Sequence, residues 1–473
     1  VATANIIQTE VVVLGAGPGG YTAAFRAADL GKKVTLIERD TIGGVCLNVG
    51  CIPSKSLLHI AKVLDETSHI ENQGISFSKP LIDLDKLRAW KDSVVTRLTT
   101  GLTSLAKQRK VDVLYGTAEF VGTHEISLQT SQGKQIIQFE HAVIAVGSKP
   151  VNLPFLPQDP RIMDSTGALA LPDIPKRMLV IGGGIIGLEM ATVYQALGSQ
   201  ITVVELTPDL LPGVDRDIVQ PLQKRIQNRY EKILLNTKVT KVDAKPDGLY
   251  VTFEGKDAPS QPECFDKILS SVGRVPNGKE LGLEKAGITL DARGFIPVNN
   301  ELRTVVPHIF AIGDCAGMPM LAHKAIPEGR VAAEIIAGKK HTFEPLCIAS
   351  VAYTDPEVAW VGLTESQAKE KKIDYGKGVF PWAASGRALS MGREEGLTKI
   401  LFDKKTNRII GASIVGVSAG DLISELALAI EMGCEAEDIA LTIHPHPTLS
   451  ETVCLSTEMF EGTITDLYMP KKN

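Results

Sequence analysis

Two cysteines five positions apart, in Gly43-Gly-Val-Cys46-Leu-Asn-Val-Gly-Cys51-Ile-Pro53-Ser-Lys55, are the residues of this chain whose spacing first points to chemistry. A close thiol pair can form a disulfide and exchange it with an incoming thiolate, provided the two Cα atoms come within about 7 Å. An ideal helix would hold them apart, because five residues rise about 7.5 Å. Gly50 and Pro53 predict an irregular start to the helix here, which would allow the bridge. A cysteine near a helix N-terminus also gains thiolate character from the dipole. On spacing alone, two unconnected core thiols account for the pair equally well. The other five cysteines, Cys264, Cys315, Cys347, Cys434 and Cys454, are scattered and form no zinc-type C-x-x-C. They are expected to be buried, inert thiols, and no metal site is expected.

A second cluster is His444-Pro-His446-Pro-Thr448-Leu-Ser-Glu451. Pro447 pushes His446 out of the helical region, so its imidazole stands at a chain corner. Two readings of Glu451 stay open. It can close a T-x-x-E capping box with Thr448, or it can orient His446 as an acid–base catalyst.

The elements that must carry these residues are legible as a repeated unit. Residues 10–38 run as an apolar strand, a Gly-rich turn, a helix and a second apolar strand ending in an acid, and residues 177–205 repeat that order. Gly15, Gly17 and Gly20 fit G-x-G-x-x-G, as do Gly182, Gly184 and Gly187, and Glu38 and Glu205 each follow the last glycine by 18 positions. In such a unit the first glycine makes the tight turn and the second lets backbone approach a pyrophosphate. The third allows close strand–helix packing, and the acid meets a ribose hydroxyl. An acid in the second unit, with no Arg following it, favours NAD over NADP. Two such sites imply two cofactors, with electrons passing between nicotinamide and flavin.

The fold class expected is therefore α/β, with two Rossmann-like doubly wound domains. The stretch 150–175 carries six prolines and reads as their connection. Val111 to Phe139 predicts a β-meander inserted in the first domain, and residues 233–271 a similar insertion in the second. From about 346 short strands followed by a helix at Asp421–Met432 predict an α+β terminal domain. A formal charge of −5 offers no basic field for nucleic acid, and no apolar run is long enough to span a bilayer. The first ten residues show no secretory signal. An odd seven cysteines in 473 residues argue against a secreted disulfide framework.

The cysteine motif, both Gly fingerprints, IFAIGD at 309–314 and HPHPTLSE at 444–451, in this order, make the chain resemble the pyridine nucleotide–disulfide oxidoreductases over essentially its whole length. The resemblance implies an FAD-binding domain at 1–149, an NAD-binding domain at 150–275, a central domain completing the FAD site at 276–345, and a dimerisation domain at 346–473. It implies a redox-active disulfide in which Cys46 is the interchange thiol and Cys51 contacts the flavin. His446 and Glu451 would be an acid–base dyad acting on the partner subunit's cysteines in a homodimer. FAD would lie against Gly15, Gly17, Gly20, Glu38, Lys55, Gly116, Gly147, Asp314 and Ala322, with Glu189 paired to Lys55. NAD would take Gly182, Gly184, Gly187, Glu205, Val239 and Gly273. The activity implied is oxidation of the dihydrolipoyl group on a carrier protein, with NAD⁺ reduced to NADH. The partners would be lipoyl domains of 2-oxo acid dehydrogenase complexes or the glycine cleavage carrier, in the bacterial cytoplasm or, alternatively, the mitochondrial matrix.

Within that family, a glutathione reductase would need basic residues near Glu205, and a mercuric reductase a vicinal cysteine pair near the end of the chain; neither is present. Pro445, where the family more often has a small residue, stiffens the approach to His446. Cys315, beside Asp314, reads as a buried passenger. A flavin-bearing scaffold or redox-sensing binding protein with little turnover is the reading from another class; the retention of Cys46, Cys51, His446 and Glu451 speaks against it.

Overall fold

The computed structural model describes residues 5–468. The outermost ends of the first and last expected domains, and the expectations drawn from residues 1–4 and 469–473, lie outside the described residues.

The first unit is a seven-stranded sheet. Val11, Val12 and Val13 are all fully buried, which is the signature of a strand covered on both faces of a parallel sheet. Their strand, Asn5–Leu14, pairs in parallel with Val34–Glu38 on one side and Gly133–Ile144 on the other, and Asp112–Tyr115 adds to Val34–Glu38. The outer edge of Gly133–Ile144 is divided. Residues 133–138 take the antiparallel strand Glu125–Thr130, to which Thr117–Gly122 is paired. Residues 142–144 take Ile309–Ala311 in parallel. The expected meander is thus fused to the parallel sheet through one shared strand.

Ile309–Ala311 also shows how the segment 276–345 belongs to the first unit. Its buried Ile296, Leu302, Phe310 and Ile336 join the two cores that contain Val11, Val12, Val13 and Leu14, and they form no separate core. The helix Ala322–Ile336 lies on the helix Pro18–Asp29 so closely that a Cβ on Gly329 would sit 2.4 Å from the Gly19 carbonyl oxygen.

In the second unit, five strands run parallel: Lys232–Leu234, Gln200–Val204, Arg177–Ile181, Lys267–Ser270 and Ile162–Met163. The last of these lies in the proline-rich stretch expected to be pure connection. Between its prolines that stretch supplies an edge strand and the helix Ser165–Leu169, whose Met163, Ala168 and Leu169 enter the core. The β-rich insertion is the antiparallel sheet of Thr237–Lys245, Gly248–Gly255 and Glu263–Phe265, while Lys267–Ser270 returns to the parallel sheet. The chain enters and leaves this unit by two strands, Ser148–Pro150 and Arg274–Pro276, paired antiparallel with each other.

The third unit is a five-stranded antiparallel sheet, in the order Ser350–Ala352, Glu357–Gly362, Ile409–Gly416, Leu397–Asp403 and Tyr375–Pro381. The helices Ala419–Met432 and Glu451–Glu461 pack on it around Trp382, Phe402, Ile414, Leu426 and Val453. It is tied to the second unit by Lys399, whose side chain is 1% exposed. The Lys399 ammonium lies 2.9 Å from Asp215, 2.7 Å from Asp217 and 3.1 Å from Glu365. Among the described residues these three carboxylates are the one group with metal-site spacing, and the lysine ammonium already stands among them. A second network, with Arg225 and Arg229 reaching Asp65 and Asp355, and Arg393 reaching Asp355, joins the helix Cys51–His69 to the other two units.

Candidate active site

The helix carrying Cys46, Gly44–Val49, stops at Gly50, and a new helix, Cys51–His69, begins immediately after it. Gly50 has φ −142° and ψ −113°, and a Cβ there would lie 2.8 Å from the Val45 carbonyl oxygen. The break sets the cysteines on adjoining helices, both as free thiols, close enough that each shifts the titration of the other. Cys51 opens the second helix. Its thiol is lowered to about 7 by the hydrogen bond from Cys46 and by the Lys55 ammonium, against the opposing effect of burial. Cys46 is pushed the other way by the same hydrogen bond and by its own burial. One sulfur of the pair is thus the thiolate and the other its proton donor.

Lys55 lies one turn after Cys51. Its ammonium is 2.9 Å from Glu189 Oε2 and 3.1 Å from Oε1, across to the helix Ile185–Leu197 of the second unit. Tyr353, next to the strand Ser350–Ala352 of the third unit, completes this group. Its main-chain N–H donates to Glu189 Oε1 at 3.1 Å, and the Lys55 ammonium stands 4.4 Å from its ring centroid.

The two Gly fingerprints are geometrically alike. Gly15 and Gly182 have φ of +94° and +105°, which a side chain rarely adopts. A Cβ on Gly20 would fall 1.8 Å from the Gly15 carbonyl oxygen, and one on Gly187 2.2 Å from that of Gly182. Gly17 and Gly184, by contrast, face open space at the N-caps of their helices. Glu38 and Glu205 each accept a hydrogen bond at 2.7 Å from the amide after the first glycine, at Ala16 and Gly183. A carboxylate accepts about four such bonds, so each keeps capacity for a ribose. An open glycine at a helix N-terminus beside a fixed acid fits a dinucleotide pyrophosphate and ribose, and the chain has this arrangement twice.

The remaining expected cofactor residues are placed as follows. Gly116 has φ +159° and its N–H donates to the Glu38 carbonyl. Gly147 has φ +68° with open space around it. Asp314 accepts a 2.5 Å hydrogen bond from Ser148 Oγ, which in turn accepts from Arg274 Nε at 2.7 Å. Ala322 opens the helix Ala322–Ile336. Gly273 has φ +119°. Val239 points into the core of the second unit's small sheet, so its main chain is the part left to meet a ligand.

His446 is 81% exposed at its side chain, and its Nδ1 is 2.8 Å from Glu451 Oε1. Glu451 Oε2 accepts from the Thr448 N–H at 2.7 Å. Glu451 therefore serves both readings, one oxygen to each. Only this half of the box on Thr448 forms, because the helix Glu451–Glu461 starts after Ser450, which gives no side-chain cap, and the Thr448 hydroxyl donates to the Pro445 carbonyl. His446 makes no hydrogen bond to its own chain's Cys46 or Cys51. His444 Nε2 is held 2.6 Å from Glu425 Oε1. Leu441 and Ile443 beside it, and Leu428 and Met432 on the helix Ala419–Met432, are exposed apolar side chains.

The expectation of five buried cysteines holds only for Cys315, whose thiol is raised to about 12 by burial. Cys264, Cys347, Cys434 and Cys454 are half-buried. Tyr353, Ser148 and Arg274 were not singled out from sequence. Each acts on residues more than a hundred positions away, and no local spacing announces that.

Comparison with known proteins places this geometry. Residues 9–329 match the family model "pyridine nucleotide-disulphide oxidoreductase", and residues 348–456 match its dimerisation domain. The dihydrolipoyl dehydrogenase of Vibrio cholerae is 57% identical over 98% of this chain and 97% of its own length. That of Haemophilus influenzae is 56% identical over the same shares. Among solved structures, LpdA from Mycobacterium tuberculosis matches with a TM-score of 0.88 at 27% identity, covering 95% of this chain and 99% of that one.

Proposed function

Because the chain belongs to the pyridine nucleotide-disulphide oxidoreductases, we propose that it oxidises the dihydrolipoyl group of a carrier protein to the cyclic disulfide, with NAD⁺ as the final acceptor. The observation that carries this reading is the broken helix that sets Cys46 and Cys51 on adjoining helices as a coupled thiol pair, with Lys55 and Glu189 alongside.

The cycle begins with the pair as a disulfide. A dihydrolipoyl thiol gives its proton to His446 Nε2, the ring nitrogen left free by the Nδ1 contact with Glu451. The resulting thiolate bonds to Cys46 Sγ, and Cys51 leaves as the thiolate its surroundings favour. The second substrate sulfur then attacks the first, and Cys46 leaves, taking up the second thiol's proton; the lipoyl disulfide closes and the two electrons stay on the cysteine pair. FAD, when bound at the first fingerprint, supplies the two-electron acceptor between this pair and NAD⁺, which takes the hydride at the second. Lys55, held by Glu189, keeps positive charge beside Cys51. The fingerprint glycines leave room for the phosphates.

The chain is a homodimer, consistent with its dimerisation domain. The exposure of His446 and the apolar side chains around it support a site shared between two subunits, with His446 of one serving the cysteines of the other. Lipoyl domains of 2-oxo acid dehydrogenase complexes, or the glycine cleavage carrier, are the partners this reading assigns. The bacterial relatives favour the cytoplasm as the compartment, and among the described residues no helix is long and apolar enough to cross a membrane.

The test is NADH formation from dihydrolipoamide by the purified flavoprotein. Cys46→Ser and His446→Gln chains should each be inactive, and mixing them with verified subunit exchange should restore activity. A flavin-loaded protein that forms no NADH would overturn the activity. Inactive verified heterodimers would overturn the shared site.

A further inference from the structure

Lys55 and Glu189 come from the first and second units, and the contact that holds them together comes from the third. Tyr353 meets the pair twice. Its N–H donates to Glu189 Oε1 at 3.1 Å, and its ring carries the Lys55 ammonium at 4.4 Å from the centroid. The carboxylate thereby gains a second donor on Oε1, the oxygen that also receives the lysine, and the ammonium is covered on one face. An aromatic face attracts a cation at this distance, more strongly where water is displaced.

The ring itself is seated. Its edge lies against the backbone of Gly420, where a Cβ would stand 3.3 Å from Tyr353 Cε1 and 3.0 Å from Val351 Cγ1. Lys55 and Tyr353 share the wall of a cavity of about 250 Å³, with His59, Lys62, Arg229 and Glu357 farther along it. The Lys55 side chain is 36% exposed there, so the ring covers one face of the ammonium and restricts its swing into the cavity.

We propose that Tyr353 is a positioning residue for the redox pair: its ring and its N–H together fix Lys55 and Glu189, and so hold the lysine charge against Cys51. The proposal rests on the reading of Cys51 as the electron-carrying thiolate. The charged and titratable groups that face Cys51 are Cys46 and Tyr21 on the first unit, Lys55 on its own helix, Glu189 and Arg274 on the second unit, and Tyr353 on the third. Of these Lys55 and Arg274 are the cations, and Lys55 is the one Tyr353 touches.

The experiment follows the Cys51 thiol directly and needs no turnover. The flavin-loaded dimer and its Tyr353→Phe and Tyr353→Leu variants are reduced and alkylated with iodoacetamide between about pH 5 and about pH 10. The label on Cys51 is read by peptide fragmentation, with flavin content and dimer mass checked for each protein. Tyr353→Phe keeps the ring and should keep the wild-type midpoint. Tyr353→Leu loses the ring and should move the midpoint up by about half a pH unit or more. An unmoved midpoint in Tyr353→Leu, or an equal shift in Tyr353→Phe, overturns the proposal. If Tyr353→Leu does not fold, Gly420→Ala, which displaces the ring while leaving it in the chain, must raise the midpoint in its place; an unchanged value there overturns it. Because the readout is alkylation, a protein inactive toward dihydrolipoamide would still answer the question.

Discussion

Of the two sulfurs, Cys51 bears the charge, and the consequence reaches beyond reactivity. Its thiol sits at about 7 in the folded dithiol protein, below the roughly 8.5 of an unfolded cysteine. Below pH 7 both states hold the proton and Cys51 contributes nothing. Between about 7 and about 8.5 the unfolded chain binds more protons, so stability rises with pH. Above that range Cys46, raised in the fold, keeps its proton while the unfolded chain loses one, and the gain reverses. The reduced protein is therefore expected to resist denaturant best near pH 8.5. The rise from pH 7 should vanish in Cys51→Ser. Urea midpoints of the reduced proteins across this range measure it, and a flat profile in the parent would contradict the assignment of charge to Cys51.

At the scale of elements the decisive device is one helix interrupted after its second turn. Gly50 makes the interruption, and a methyl group there would press on the Val45 carbonyl and the Cys46 Cα, at 2.8 and 3.2 Å. Gly50→Ala is expected to spread the two helices and to slow disulfide closure by tenfold or more, since sulfur exchange depends on approach geometry (about 1.4 kcal/mol per tenfold). Thiol titration during air oxidation reads this, and closure at the parent rate would refute it. The interruption was legible in the sequence because its cause is local: a glycine and a proline beside the cysteines. The fingerprint glycines were legible for the same reason, since Gly20 is constrained by Gly15 five residues away. Tyr353 was not, because its role exists only once three units assemble around Lys55. The box expected on Thr448 forms only in half, because Glu451 divides its oxygens between a histidine and a backbone amide while the helix starts after Ser450, and spacing alone cannot apportion them.

Across the whole molecule, the units share an apolar core that includes Leu57, Leu188 and Val358, and ionic ties join them as well, Lys399 the most buried of these. Its ammonium satisfies three carboxylates drawn from two units, and Asp215 also receives the N–H of Glu365 at 2.8 Å. Lys399→Met would leave Asp215 and Asp217 without their cation, while Lys377 stays 3.0 Å from Glu365. Removing one partner of a buried ion pair costs about 3–5 kcal/mol, so the variant is expected to lose stability of that order in urea at neutral pH. A loss within about 1 kcal/mol would show that water already screens the cluster.

The second unit hangs on the molecule by two neighbouring strands, Ser148–Pro150 and Arg274–Pro276. Paired strands lie about 4.8 Å apart, so the entry and exit of more than a hundred residues are nearly one point. Seen from the first unit, everything between them is a loop, and closing that loop asks nothing of its contents. A nicotinamide module entered and left at one point is a single insertion in the gene, yet a replacement would have to bring the side chains that meet Lys55, Lys399 and the apolar core shared with Leu57, Ala352 and Val415. The choice of electron acceptor is in that sense one continuous stretch of sequence, held in place by the rest of the molecule.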